Sequence, residues 1–425
     1  MKPSFIAIFM LLILFSACKN EAPGSTEKAN TDQPKKAVFI IVDGIPADVI
    51  EKLSTPVLDE IAGVKGYTHS YVGGEKGTYS ETPTISAPGY MDLLTATWAH
   101  KHNVVDNYDQ KPNYNYWTIF RIAETVQPEL KTAIFSTWQD NRTILVGEGL
   151  SAAGGIQLDY AFDGFELDTL RFPHDERSDY VLAIDELVAE EAGKYIAEQG
   201  PDLSWVYLQY TDDIGHEAGD SEAFYEAVRK ADAQVGKVWE AVKKRIAMGE
   251  DWMIVITTDH GRDALTGKEH GEQSERERAT WMVTNTADLN SRFTQGTPSI
   301  IDITPSILRH LNLQAPVAVQ QEMDGIPFVG DVSLDSFRVK LENNTLMADW
   351  RPIATAGEAR ILASFGNKYR DGGKDDYQEL GRVAVETGTF QWPLNAEQLA
   401  ALEQSRVLKV LIEAPANKAN YWWQL

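Results

Sequence analysis

Cysteine is almost absent: Cys18 is the only one in 425 residues, so no intramolecular disulfide can hold this fold. Basic residues are also scarce, 39 Lys and Arg against 63 Asp and Glu, which leaves a formal charge of −24. Such a chain lacks the positive surface that displaces counterions from a phosphate backbone, so no nucleic-acid binding is expected. The longest apolar run, Phe5 to Phe15, is too short to span a bilayer as a helix. Histidine is rare too. Only eight occur, at 69, 100, 102, 174, 216, 260, 270 and 310, so those that fall in motifs stand out.

The N-terminus pairs Met1-Lys2 with that apolar run and closes on Leu14-Phe15-Ser16-Ala17-Cys18. A positive start, a short apolar stretch and small residues predict a signal peptide over 1–17. The closing LFSAC resembles a bacterial lipobox, which makes Cys18 the expected lipidation site. Residues 18–36 then read as a lipidated cysteine and a flexible tether, rich in Lys, Glu, Asn, Pro and Ser, without the apolar content to fold. The expectation is an exported lipoprotein, periplasmic or on the outer membrane or cell surface, which meets the membrane through its anchor.

Ala37 to Val42, Thr132 to Phe135, Trp205 to Leu208 and Trp252 to Thr258 are short β-rich apolar runs of the kind that form buried parallel strands. Helical patterns lie between them, over Val181 to Glu198 and Ser221 to Arg245. Strands alternating with helices predict an α/β domain over 37–332, with a largely parallel central sheet flanked by helices. From about Val339 the chain changes to short alternating stretches between Gly-, Asn- and Asp-rich turns, which predicts a small all-β, sandwich-like domain over 335–425 with Trp350 in its core.

In parallel α/β sheets, chemistry gathers at the carboxyl ends of the strands. Three of the four runs end at or just before an acidic residue, at Asp43, Asp212 and Asp259. In TDDIGHEAG, Asp212 and His216 stand four apart after a strand, a spacing that brings a carboxylate and an imidazole onto one ion in a first helical turn. In ITTDHGRD, Asp259 and His260 are adjacent. Adjacent side chains point to opposite sides, which suits a pair bridging two neighbouring metals. GKEHGEQ places His270 in a loop among small residues.

In this order the motifs resemble the alkaline phosphatase superfamily, within it the type I phosphodiesterase/nucleotide pyrophosphatase branch. VFIIVDG and STPVLDEI match the family's opening strand and its Thr-Pro-x-Leu segment. ETPTISAPGYMDLLTAT matches the nucleophile segment, with Ser86 where the family usually has threonine. The resemblance implies two zinc ions, one held by Asp43, Asp259, His260 and the Ser86 oxygen, the other by Asp212, His216 and His270. It implies attack by Ser86 on phosphorus through a phosphoseryl intermediate, with the ions activating the hydroxyl and the leaving oxygen. Asn107, 21 residues after Ser86, matches a phosphate-binding asparagine, expected to act beside the backbone amide that follows Ser86.

The expected substrate is a small-molecule phosphate ester. Monoesterases of the superfamily use a Lys/Arg pair against the dianion, whereas IFSTWQDNRTIL offers Arg142 alone, with Asp140 in the lysine position; this favours a diester. Arg142 and Tyr108 are candidate substrate-binding residues, and Tyr108, Tyr114, Tyr116 and Trp117 read equally as a stacking wall for a flat leaving group or as core. Tyr90 replaces the arginine of the sulfatase motif Cys/Ser-x-Pro-x-Arg, which argues against conversion of Ser86 to formylglycine. Phosphomonoesterase and phosphonate hydrolase readings stay open on the same site. A surface-anchored binding lipoprotein is the non-enzymatic alternative.

Overall fold

A computed structural model describes residues 33–424; Cys18, the signal segment and most of the tether lie outside the described residues. Seven strands, β1 (Lys35–Val42), β2 (Tyr67–Tyr71), β3 (Thr132–Ser136), β4 (Tyr160–Phe162), β5 (Leu203–Leu208), β6 (Asp251–Thr257) and β7 (Ala279–Thr284), form one sheet in the order β2-β7-β6-β1-β5-β3-β4. β6, β1, β5, β3 and β4 run parallel, and β7 pairs antiparallel with β6 and β2.

β1 is buried from Lys36 to its end because both of its faces are covered. Ala37, Phe39 and Ile41 pack with the helices Ser86–Thr95, Ile119–Val126 and Ile303–His310. Val38, Ile40 and Val42 pack on the other face with the helices Asp179–Gln199 and Glu222–Ala247. The two-residue period of a strand explains that division, and each buried Ile, Val or Phe contributes about 1.5–3 kcal/mol. On Glu222–Ala247, Phe224, Val228, Val235, Val238 and Val242 form the buried stripe, and Ser221 caps the start by accepting from the Phe224 amide at 3.3 Å.

Ile41 is in register with Tyr207 of β5 on one side and with Thr257 of β6 on the other. The chain thus leaves β1, returns as β5 on one side and as β6 on the opposite side. Such a switch of direction opens a crevice beyond the strand ends, and Asp43, Asp212 and Asp259 follow these three neighbouring strands.

From Leu334 onward the strands are antiparallel: β8 (Leu334–Glu342), β9 (Thr345–Pro352), β10 (Glu358–Ser364), β11 (Gln378–Ala384), β12 (Thr389–Pro393), β13 (Val407–Glu413) and β14 (Lys418–Gln424). They form a four-stranded sheet, β11-β10-β13-β14, and a three-stranded sheet, β12-β9-β8, around one apolar core. Asn343 and Asn344, at φ 48° and 62°, make the β8–β9 connection, a turn that asparagine tolerates in the left-handed region. Trp350 is buried, and its indole N–H donates to the Val385 carbonyl at 2.8 Å. A helix, Ala396–Ser405, interrupts the β texture, started by a reciprocal cap between Asn395 and Gln398.

Candidate active site

Ser86 is the first residue of the helix Ser86–Thr95, every residue of which is buried. Its Oγ lies 3.3 Å from His260 Nε2. The helix start adds a positive dipole end at this position, favourable to an anion. Asp43 follows β1 and turns on Gly44, whose φ is +68°; a Cβ there would meet Asp212 Oδ1 at 2.6 Å. Asp212 sits in the first turn of the helix Tyr210–Ala218 with His216 one turn on, and His216 Nε2 is 3.3 Å from Asp212 Oδ2. His270 arrives from a loop and is held through Nδ1 on the Thr84 carbonyl at 2.9 Å.

Two groups of ligand-type atoms result: Asp212, His216 and His270, and Asp43, Asp212 and His260. The first trio is the set expected from the sequence. In the second, Asp212 borders both groups instead of belonging to one, while Asp259 Oδ2 and Asp43 Oδ1 each approach His260 Nε2 to 3.3 Å. The expectation that Asp259 and His260 point to opposite sides is corrected: tertiary packing turns both inward. His216, with 41% of its side chain exposed, opens the cluster to solvent, whereas Asp43, Asp259 and His260 are buried.

The donor set fits metal. Asp43 Oδ1 and Asp259 Oδ2 are buried carboxylate oxygens with no hydrogen-bond partner. His260 Nδ1 faces the Gly261 carbonyl at 2.9 Å and His270 Nδ1 faces that of Thr84, which leaves both Nε2 lone pairs for the cluster. The Nε2 atoms of His216 and His270 lie 3.0 Å apart, an approach of two acceptors that a cation or a shared proton makes favourable.

The charges of the cluster strain against one another. Burial, and then the neighbouring Asp43 carboxylate, push Asp259 well above the usual carboxylate range. Burial pulls the His260 imidazole down, but the carboxylates of Asp259 and Asp43 outweigh it and lift it to about 9. Burial and the adjacent His260 lower His270 to about 3. Burial alone would raise Asp212, yet Arg262 and His216 hold it well below its ordinary value.

Three residues given no site role from the sequence organise the site. Arg262 is fully buried: it binds the Asp212 carboxylate, donates to the Asp212 carbonyl at 2.7 Å, to Gly44 at 3.0 Å and to Lys268 at 2.8 Å. It lies flat on Gly215, where a Cβ would meet its Cζ at 2.2 Å. Tyr90 and Tyr207 both donate to Asp43 Oδ2, the latter at 2.7 Å, and so turn Oδ1 toward His260. The available signals were Arg262 directly after Asp-His-Gly, and Tyr90 one helical turn beyond Ser86.

Asn107 reaches the nucleophile segment, but its Oδ1 accepts from the Ala87 amide at 2.8 Å. That amide, expected to serve the substrate, is therefore engaged by Asn107, whose Nδ2 remains as the donor. Arg142 requires a larger correction. Its guanidinium forks Asp163 at 2.6 and 2.8 Å and reaches Glu148 at 2.6 Å, so its charge is already matched by two carboxylates rather than left free for a phosphate. Of the aromatic wall, Tyr116 is core, Tyr114 donates to the Ile144 carbonyl at 2.6 Å, and Trp117 packs against the main core and carries Arg121 on its face. Tyr108 is 98% exposed beside Asn107, free to stack but not placed by packing.

A profile of the type I phosphodiesterase / nucleotide pyrophosphatase family matches residues 37–350. A putative sulfatase from Bacteroides thetaiotaomicron superposes with a TM-score of 0.50 at 12% identity, covering 82% of this chain and 86% of that one. Murine ectonucleotide pyrophosphatase / phosphodiesterase 5 gives 0.44 at 14% identity, over 66% and 96% of the two chains. The 2,3-bisphosphoglycerate-independent phosphoglycerate mutase of Onchocerca volvulus is 28% identical over 125 residues, 28% of this chain. The match spans only 22% of that curated relative's length.

Proposed function

Because the chain belongs to the type I phosphodiesterase/nucleotide pyrophosphatase family of the alkaline phosphatase superfamily, we propose that it hydrolyses phosphodiesters with Ser86 as nucleophile and two zinc ions as cofactors. The family places it among phosphoric ester hydrolases; the nucleophile, the metal and the diester preference are this proposal. The observation that carries it is Ser86 Oγ at a helix start, 3.3 Å from His260 Nε2, which itself lies 3.3 Å from the partnerless buried oxygens of Asp43 and Asp259. The trio Asp212, His216 and His270 would hold one ion, and Asp43, Asp259 and His260 the other, with Asp212 between them. When bound, the ions supply Lewis acidity that eases ionisation of the hydroxyl and stabilises the leaving oxygen.

The chain's own residues do the rest. Ser86 Oγ attacks phosphorus and displaces one ester oxygen, which leaves as the alcohol with the proton the serine gives up; water then cleaves the phosphoseryl ester, releasing the phosphomonoester and restoring the Ser86 hydroxyl. Asn107 Nδ2 donates to a non-bridging oxygen, while its Oδ1, tied to Ala87, fixes the direction of that donor. Tyr90 and Tyr207 orient Asp43, and Arg262 orients Asp212. Support for a diester comes from charge: Arg142 is paired with Asp163 and Glu148, and Arg262 is committed to Asp212, so neither adds a free cation for a monoester dianion. Export with lipid attachment at Cys18 is part of the same proposal.

The test compares bis-p-nitrophenyl phosphate with p-nitrophenyl phosphate, with zinc added and then chelated. The expected result is faster, chelator-sensitive turnover of the diester, lost by at least about a thousandfold in Ser86→Ala with metal content unchanged. Monoester preference would overturn the diester assignment, and near-normal rates in Ser86→Ala would overturn the nucleophile.

A further inference from the structure

His270, which joins Asp212 and His216 in the first trio, comes from residues 258–274, a loop between β6 and the helix Glu275–Arg278. Lys268, Glu269 and Glu272 beside it are exposed. Asp263 gathers the outer turn of the loop by accepting from the Thr266, Lys268 and Glu269 amides, and its reach stops there, one residue short of the imidazole. What fixes the imidazole lies across the site, at Thr84. His270 Nδ1 donates to the Thr84 carbonyl at 2.9 Å. A carbonyl only accepts, so Nδ1 carries the proton and Nε2 keeps its lone pair for an ion. The Gly271 and Gln273 amides both donate to the Thr84 hydroxyl, at 3.1 and 3.3 Å. The hydroxyl's own hydrogen points to Glu277 Oε2 at 3.4 Å, an oxygen that also accepts from the Ser274 amide at 2.7 Å in the cap of the next helix.

Thr84 is 1% exposed, and its one donor and two acceptor positions are all taken by this loop and the helix that follows. Two residues on, the same strand of chain reaches Ser86 at the start of its helix. The backbone facing Thr84 is held in an uncommon shape: Gln273 has a φ of 60°. A non-glycine residue is strained there and keeps that conformation where its surroundings impose it. Gln273 Nε2 supplies part of that constraint, donating to the carbonyls of Gly73, at 2.8 Å, and of Thr82. Gly271 lies on Ile85, where a Cβ would meet Cγ1 at 3.3 Å. The segment that carries the nucleophile and the loop that carries His270 are thus laced together at Thr82, Thr84 and Ile85.

We propose that Thr84 is a positioning residue whose carbonyl and hydroxyl together hold His270, and the ion its trio would bind, in a fixed place relative to Ser86. The inference rests on the reading of the trio as a metal site and of Ser86 as the nucleophile. A hydroxyl that only supports the fold contributes to Tm, whereas one that positions a ligand also sets zinc affinity and kcat.

Zinc affinity, by competition with a chromophoric chelator, and bis-p-nitrophenyl phosphate kinetics at saturating zinc test it on the full chain. Thr84→Val keeps the shape and removes the hydroxyl. It weakens binding of one zinc ion at least about tenfold and lowers kcat at least about tenfold, with KM changed by less than about threefold. Thr84→Ser keeps the hydroxyl and stays within about threefold of the wild type in both. Should valine unfold the chain, Thr84→Ala against Thr84→Ser makes the same comparison. Wild-type zinc affinity or wild-type kcat in Thr84→Val, or losses in Thr84→Ser as large as those in Thr84→Val, overturn the proposal. His270→Ala and Ser86→Ala run alongside. Full zinc affinity in the first, or near-normal turnover in the second, overturns the underlying reading and the proposal with it. Where both controls lose function and Thr84→Val does not, the role of Thr84 alone falls.

Discussion

His260 carries the charge conflict of the metal-type cluster. Its ring is buried, its Nδ1 faces a carbonyl, and its Nε2 faces Asp43 and Asp259 at 3.3 Å. In the metal-free protein those carboxylates lift it to about 9, above an unfolded value near 6.5. A raised imidazole contributes stability that is complete below about pH 6.5 and is lost as pH rises through about 9. Asp259, also raised, has the same sign. His270, lowered to about 3, acts in the opposite direction, and only below about pH 6.5. The Tm of the chelated protein is therefore expected to fall between about pH 6.5 and 9, while the zinc-loaded protein, whose ligands are already deprotonated, stays level there. Thermal melts across that window check it; parallel curves with and without metal would exclude His260 as a ligand.

At the level of elements, the helix Tyr210–Ala218 presents Asp212 and His216, and its N-terminus has few side-chain partners of its own. Asp185, buried in the helix Asp179–Gln199, supplies them: it accepts from the Gln209 amide at 3.1 Å, the Tyr210 amide at 2.8 Å and the Thr137 hydroxyl at 2.5 Å. Removing it leaves buried donors without partners, which costs about 1–3 kcal/mol each. Asp185→Ala is expected to lower Tm by several degrees and to weaken zinc binding, although the residue touches no metal-type ligand. Denaturation curves and zinc titration decide between this and a purely local role; unchanged zinc affinity with lowered stability would mean the helix start does not position the trio.

Over the whole molecule, a catalytic sheet and an antiparallel module share a seam of buried lysines and carboxylates around Trp422, and the metal-type cluster sits at the strand ends. No helix among the described residues is long and apolar enough to cross a membrane. If Cys18 is lipidated as proposed, the folded part is tethered through the segment before Lys35. Metabolic labelling with a fatty acid is expected to mark the wild-type chain and not Cys18→Ser, which should move from the membrane to the soluble fraction; membrane retention of unlabelled Cys18→Ser would refute the anchor.

The order of elements was readable in advance because it is written in local patterns. The apolar run of β1, the stripe on Glu222–Ala247 and the Asn343-Asn344 turn each depend on neighbours a few residues away. The residue types at Asp43, Ser86, Asp212, His216, Asp259, His260 and His270 were likewise visible, because their motifs follow one another along the chain. Convergence was not visible. Asp212 between two groups, Asp259 turned inward beside His260, Arg142 withdrawn onto Asp163, and Ala87 tied to Asn107 all depend on atoms brought together across the sheet. The helix Ala396–Ser405 did carry a local signal, its Asn395/Gln398 cap, within a stretch whose strand-like texture outweighed it. Sequence by itself determined which elements form and which ligand-type residues are available, since propensity, periodicity and motif order act over short range. Only the tertiary structure decided which carboxylate faces which imidazole and which arginine is free, because burial and charge pairing are set by distant segments packed around the same strand ends.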